Sequence, residues 1–191
     1  MKHVVWPPRV VTALASGIRP ASLSDSWIAA AVEEDTQNGA PSADAIAQIQ
    51  AAVQTGQGAL QAFFHAYFDM PIPDAVEICV TRYGSGGSYH PLRQSPLSRA
   101  TAAISIRHDL LFGRTHLHIL AHETVHLILA EPLSGLSYQA REAIVDKICS
   151  CNELARLFDK PYRIQQSFEG ALMKQWETIV PWNAKPTWQP A

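Results

Sequence analysis

His122, Glu123 and His126 fall in the order His-Glu-Thr-Val-His, with Leu117, Ile119, Leu120 and Ala121 before them and Leu127, Ile128 and Leu129 after. Side chains four residues apart share one face of a helix, so a helical segment here turns both imidazoles toward a single ion. Glu123 then sits beside that ion, within reach of a water the ion activates. Given 8 His and 9 Glu in 191 residues, chance supplies roughly 0.015 such matches in the whole chain. The apolar flanks predict a buried helix, where two histidines and a glutamate without partners would cost several kcal/mol. A divalent cation supplies the missing partner. The alternative is a pair of hydrogen-bonded core histidines beside a solvated glutamate.

A catalytic zinc site takes three protein ligands and keeps one open position, so a third group is needed downstream. Glu142 lies sixteen residues after His126, and Glu131-Pro132-Leu133-Ser134-Gly135 between them suits a chain reversal. On that next helix Glu142, Asp146, Cys149 and Glu153 follow at steps of four, three and four, a polar stripe opposite Ile144, Ile148 and Cys151. The preferred assignment puts Glu142 on the metal and gives Asp146 the distal N–H of a ligating histidine. The reverse allocation, with Asp146 as ligand, stays open on spacing alone, and an ordinary solvated helix face would give the same stripe. His108, His116 and His118 crowd the same region. His118 and His126 would be about 12 Å apart along a helix, too far to share an ion, so His116 and His118 are read as structural.

With those residues in place, the sequence resembles the zincin metallopeptidases, and within them the gluzincin branch, through His122-Glu123-x-x-His126 and Glu142-x-x-x-Asp146. The likeness covers about a quarter of the chain, from the second predicted strand to Cys149. It implies a zinc ion held by His122, His126 and Glu142, with Glu123 as general base and Asp146 supporting a ligand histidine. The implied reaction is hydrolysis of a peptide or protein substrate. The spacing is shorter than in larger gluzincins, which suggests a compact form, and no third histidine follows His126 as metzincins would require. The family also implies that substrate adds to an edge strand, here expected at about Ala102 to His108. An oxyanion donor is expected as well. Tyr138, one turn before Glu142, is the first choice, with Tyr89, His90 and Arg141 as further candidates. The alternative function is a zincin-like binding or regulatory module in which the metal is structural.

The elements that must position these groups can be read from periodicity. Residues 1 to about 24, with Pro7, Pro8 and Pro20, suggest an extended arm, and a first helix is expected from Ser24 or Asp25 to Asn38. Ile46, Ile49, Val53, Leu60, Phe63, Phe64 and Tyr67 recur at threes and fours from Ser42 to Phe68, a helix weakened by Gly56 and Gly58. Val76, Ile78 and Val80 alternate with polar neighbours as a strand. Gly84 to Ser88 is expected to be a flexible turn rather than a phosphate loop, with Pro91 and Pro96 keeping the chain irregular until the second strand. Helices are then expected at Thr115 to Ala130, Tyr138 to Phe158 and Ile164 to Val180. The fold class is therefore α+β, a mainly helical domain with a small sheet beside the His122 helix. It is read as one domain over 1–191: an arm and two helices to about residue 70, a metal-binding core over 75–160, and a C-terminal helix and tail over 161–191.

Composition narrows the function classes. Hydrophobic residues are 47% of the chain, charged residues 17%, and the formal net charge is -2. That balance suits a globular protein and gives little support to nucleic acid as the main partner. No apolar run is long enough to cross a bilayer, and the prolines after Trp6 interrupt any signal-like start, so a cytoplasmic protein is expected. Cys79, Cys149 and Cys151 are read as reduced thiols, with Cys149 and Cys151 as buried small residues. Pro181, Trp182, Pro186 and Trp188 form a terminal cluster that either packs on the core or covers the cleft.

Overall fold

The computed structural model describes residues 42–70, 76–81, 87–91, 102–107, 115–158, 160–166 and 172–188. The expected arm over 1–24, the first helix to Asn38 and His108 lie outside these residues. The described chain is α+β: helix α1 (Ala43–Tyr67), strands β1 (Val76–Thr81), β2 (Gly87–Pro91) and β3 (Ala102–Arg107), then helices α2 (His116–Ile128), α3 (Tyr138–Cys149), α4 (Asn152–Ala155) and α5 (Leu172–Ile179). No helix among the described residues is long and apolar enough to cross a membrane.

Helix α1 starts where Ser42 accepts the Ala45 amide at 3.1 Å, and it buries Ile49, Leu60, Phe63 and Phe64 along one stripe. Gly56 lies on that stripe, and a Cβ there would overlap the Leu117 side chain of α2. The helix propensity that Gly56 gives up, about 1 kcal/mol, is thus set against a close approach of two helices. Gly58 meets no neighbour among the described residues.

The sheet has three strands in the order β1-β3-β2, with β1 parallel and β2 antiparallel to β3. This corrects two expectations. Ala102–Arg107 is the central strand and not an edge: its backbone is paired on both sides, and Ala102 to Ile106 are all buried. The stretch from Gly87, expected to be irregular, is a strand whose residues Gly87 to Pro91 face Ile106 to Ala102. Among the described residues β2 stands at one end of the sheet, a position where proline is tolerated.

Helix α2 occupies the middle of the molecule and packs against α1, α3, β2 and β3. Its start is fixed by a capping box in which Thr115 Oγ1 accepts the His118 amide and His118 Nδ1 accepts the Thr115 amide. Two helix boundaries depart from expectation. The segment from Tyr138 breaks after Cys149, where Ser150 Oγ donates to the Lys147 carbonyl at 2.7 Å and Cys151 turns extended to cap α4. The segment expected to be helical from Ile164 is not helical over 164–166, where the amides of Gln165 and Gln166 donate to Asp146 instead of to helical carbonyls, and the next described helix is α5. The aromatic tail packs on the core: the Trp182 ring is tilted against Phe68 and edge-on to Trp176, and Trp188 Nε1 donates to the Lys147 carbonyl at 2.8 Å.

Candidate metal centre

The α2 helix phase puts His122 and His126 on one face, and the turn over 129–136 brings α3 back alongside so that Glu142 reaches them. His122 Nε2 and His126 Nε2 are 3.1 Å apart, and the Glu142 carboxylate oxygens lie 3.3 and 3.0 Å from these nitrogens. One ligand atom from each of the three residues lies within 4.8 Å of the others, close enough to share one ion. His122, His126 and Glu142 could hold a metal ion. Two nitrogens plus a carboxylate oxygen suit a divalent transition metal better than calcium or magnesium, which favour oxygen ligands throughout. Both histidines are buried, and Glu142 is 15% exposed.

Asp146, one turn beyond Glu142, lies on the far side of His122. Tyr162 stands between them: its hydroxyl is 2.6 Å from His122 Nδ1 and donates to Asp146 Oδ1 at 2.6 Å. The direct separation of His122 Nδ1 from Asp146 Oδ1 is 3.4 Å, longer than an ordinary N–H···O bond. Asp146 Oδ2 accepts the amides of Gln165 and Gln166 at 2.6 and 2.9 Å. The sequence names Asp146 but gives no sign of Tyr162, which follows a proline in a stretch without periodicity and sits forty residues from His122.

Glu123 is buried against β2. A Cβ built on Gly87 would lie 2.5 Å from Glu123 Oε1 and 2.6 Å from Ile119 Cγ2, so only glycine fits there unless the glutamate moves. Two residues on, the Tyr89 ring lies parallel to the His126 imidazole, with centroids 5.2 Å apart. Tyr138 is at the first turn of α3 and 61% exposed. Burial raises both phenols above their usual range, and the charges of Glu123 and Glu142 act in the same direction, so each hydroxyl keeps its proton near neutrality. The His90 side chain lies outside what is described. His118 is used structurally, its Nε2 donating to the Lys160 carbonyl at 2.9 Å. The predicted polar stripe divides at the helix break. Glu153 accepts from Thr187, and Cys79, Cys149 and Cys151 are buried and in no disulfide, with burial pushing Cys151 up to about 12.

Burial alone would push the Glu142 carboxyl up, but hydrogen bonds from His122 and His126 outweigh it and hold the group at about 2. Asp146 is likewise lowered: burial opposes, while His122, Tyr162 and two amides prevail. Burial disfavours the His122 cation, yet bonds to Asp146, Cys149 and Glu142 leave it well above its ordinary value. Its contribution to the stability of metal-free protein is therefore complete below pH 6.5 and is lost as pH rises through the higher folded value. The contribution of Glu142 is complete above pH 4.5 and is lost as pH falls toward about 2. Chelator-treated protein should show its highest Tm between these limits, with Tm declining on the alkaline side. A Tm that does not fall as pH rises above 6.5 would contradict this balance.

No protein family, curated protein or solved structure matches this chain.

Proposed function

We propose that the protein is a zinc-dependent metallopeptidase of compact gluzincin type, in which His122, His126 and Glu142 hold the ion and Glu123 is the general base. The observation that carries this reading is the joint placement of three donors close enough to share one ion with a buried glutamate from the same helix, held against strand β2. When bound, zinc would supply Lewis acidity, lowering the pKa of a water and polarising a substrate carbonyl. Glu123 takes the proton of the attacking water and passes it to the leaving amine. Tyr138 on the rim, or Tyr89 beside His126, donates to the developing oxyanion. Strand β2, at one end of the described sheet and packed beside α2, is where a peptide would align, because β3 is paired on both sides.

Metal analysis of the purified protein and cleavage of a peptide library, each with and without chelator, test the reading together. Bound zinc, cleavage that stops on chelation and recovery on adding zinc back are the expected results. Bound zinc with no cleavage would assign the metal a structural role in a binding or regulatory module, and protein that takes up no divalent metal and shows no chelator-sensitive cleavage would remove the peptidase reading.

Gly87→Ala provides a more local check. Its Cβ would drive Glu123 and Ile119 apart, which costs about 1–3 kcal/mol of stability by overpacking. A general base displaced by about 1 Å loses on the order of a hundredfold in rate. Zinc content should stay unchanged while kcat/KM falls. Undiminished cleavage by Gly87→Ala would mean that Glu123 is not held in place by β2.

A further inference from the structure

The geometry points to Tyr162 as the residue that decides which nitrogen of His122 faces the ion, a positioning role that rests on the metal-site reading above. An ionised carboxylate only accepts hydrogen bonds. Asp146 Oδ2 is engaged by two amides, and its Oδ1 takes the Tyr162 proton. Tyrosine has one proton to give, so toward His122 its oxygen can only accept, and the proton on that contact belongs to Nδ1. A neutral imidazole with Nδ1 protonated carries its lone pair on Nε2, the atom that faces His126 and Glu142. The carboxylate therefore reaches the ligand through the phenol at 2.6 Å as well as across the longer direct distance of 3.4 Å.

The rest of the segment holds the phenol in place. His118, whose Nδ1 accepts the Thr115 amide, donates from Nε2 to the Lys160 carbonyl two residues before Tyr162. The Tyr162 ring stands edge-on to His118 at 5.5 Å and nearly parallel to His122 at 6.4 Å. Gln165 and Gln166 are tied to Asp146 beyond it. Residues 160–166 thus form a strap whose attachments reach the two helices that carry the ligands. Tyr162 contacts a ligand rather than a substrate, so it is a positioning residue.

Tyr162→Phe keeps the ring and removes one hydroxyl. By chelator competition, its zinc Kd should rise about tenfold, the lower end of what outer partners of metal ligands contribute. Asp146→Asn should weaken binding as well, and adding Tyr162→Phe to it should change Kd no further, because the hydroxyl acts through that carboxylate. In zinc-loaded wild type, nitrogen NMR should show His122 protonated at Nδ1 and metal-bound at Nε2, a readout that does not depend on any variant folding. The opposite tautomer, an unchanged Kd in Tyr162→Phe, or fully additive effects in the double variant would each overturn the assignment while leaving the metal site standing. Wild type that takes up no zinc would overturn both.

Discussion

Glu123→Gln should retain zinc and lose about a thousandfold in kcat/KM for peptide cleavage, within the range that a general acid–base residue contributes. The substitution is nearly isosteric. Glu123 is packed against Gly87 and Ile119, and an amide of the same shape fills that space without disturbing the strand. His122, His126 and Glu142 keep their mutual distances of 3.0–3.3 Å, so metal uptake should not change. What disappears is the ability to accept a proton from water and return it to the amine. Metal content and steady-state kinetics on the same preparation separate these effects. Cleavage at the wild-type rate would place the base elsewhere. Zinc lost together with activity would make Glu123 a structural support of the centre instead.

The parts of this protein that sequence exposes are those whose signals are local. Ile49, Leu60, Phe63 and Phe64 announce α1 within a residue of its limits because a helical stripe repeats inside its own segment. His122 and His126 are legible for the same reason, since four residues on a helix fix their relation, and Glu142 follows because a short connection leaves a helix pair little choice but to run back. Strand β2 was missed because five residues containing a glycine and a terminal proline carry no alternation of their own. They become a strand only by pairing with β3, and the role of Ala102–Arg107 as centre rather than edge depends on that same pairing. Tyr162 and the amides of Gln165 and Gln166 are invisible for a further reason: the group that organises them, Asp146, lies sixteen to twenty residues away on another helix. A carboxylate that draws backbone amides out of a helix overrides a periodicity that favours one. The break at Ser150 is the same competition at shorter range, with a hydroxyl taking the Lys147 carbonyl.

Glu142→Gln should raise the zinc Kd about a hundredfold. A structural zinc with four protein ligands binds with about 10–16 kcal/mol, so one ligand accounts for on the order of 3 kcal/mol, which is about two powers of ten. Glutamine keeps the length of the side chain but replaces a charged oxygen pair by an amide whose nitrogen cannot ligate. The same change removes the anion that both imidazoles hold at about 2. Metal-free Glu142→Gln should therefore also lose the part of its acid dependence that this carboxyl supplies below pH 4.5. Glu142→Asp distinguishes charge from reach: it restores the anion but draws the oxygens back by about 1.5 Å, one carbon–carbon bond, and so should recover acid dependence without recovering affinity. The decisive comparison is with Asp146→Asn. Asp146 touches His122 only from the Nδ1 side, partly through Tyr162, so its loss should cost less than the loss of Glu142. If Glu142→Gln binds zinc like wild type while Asp146→Asn does not, the third ligand is Asp146, and α3 must slide by about one helical turn, about 5.4 Å, along its axis from the position it holds beside α2.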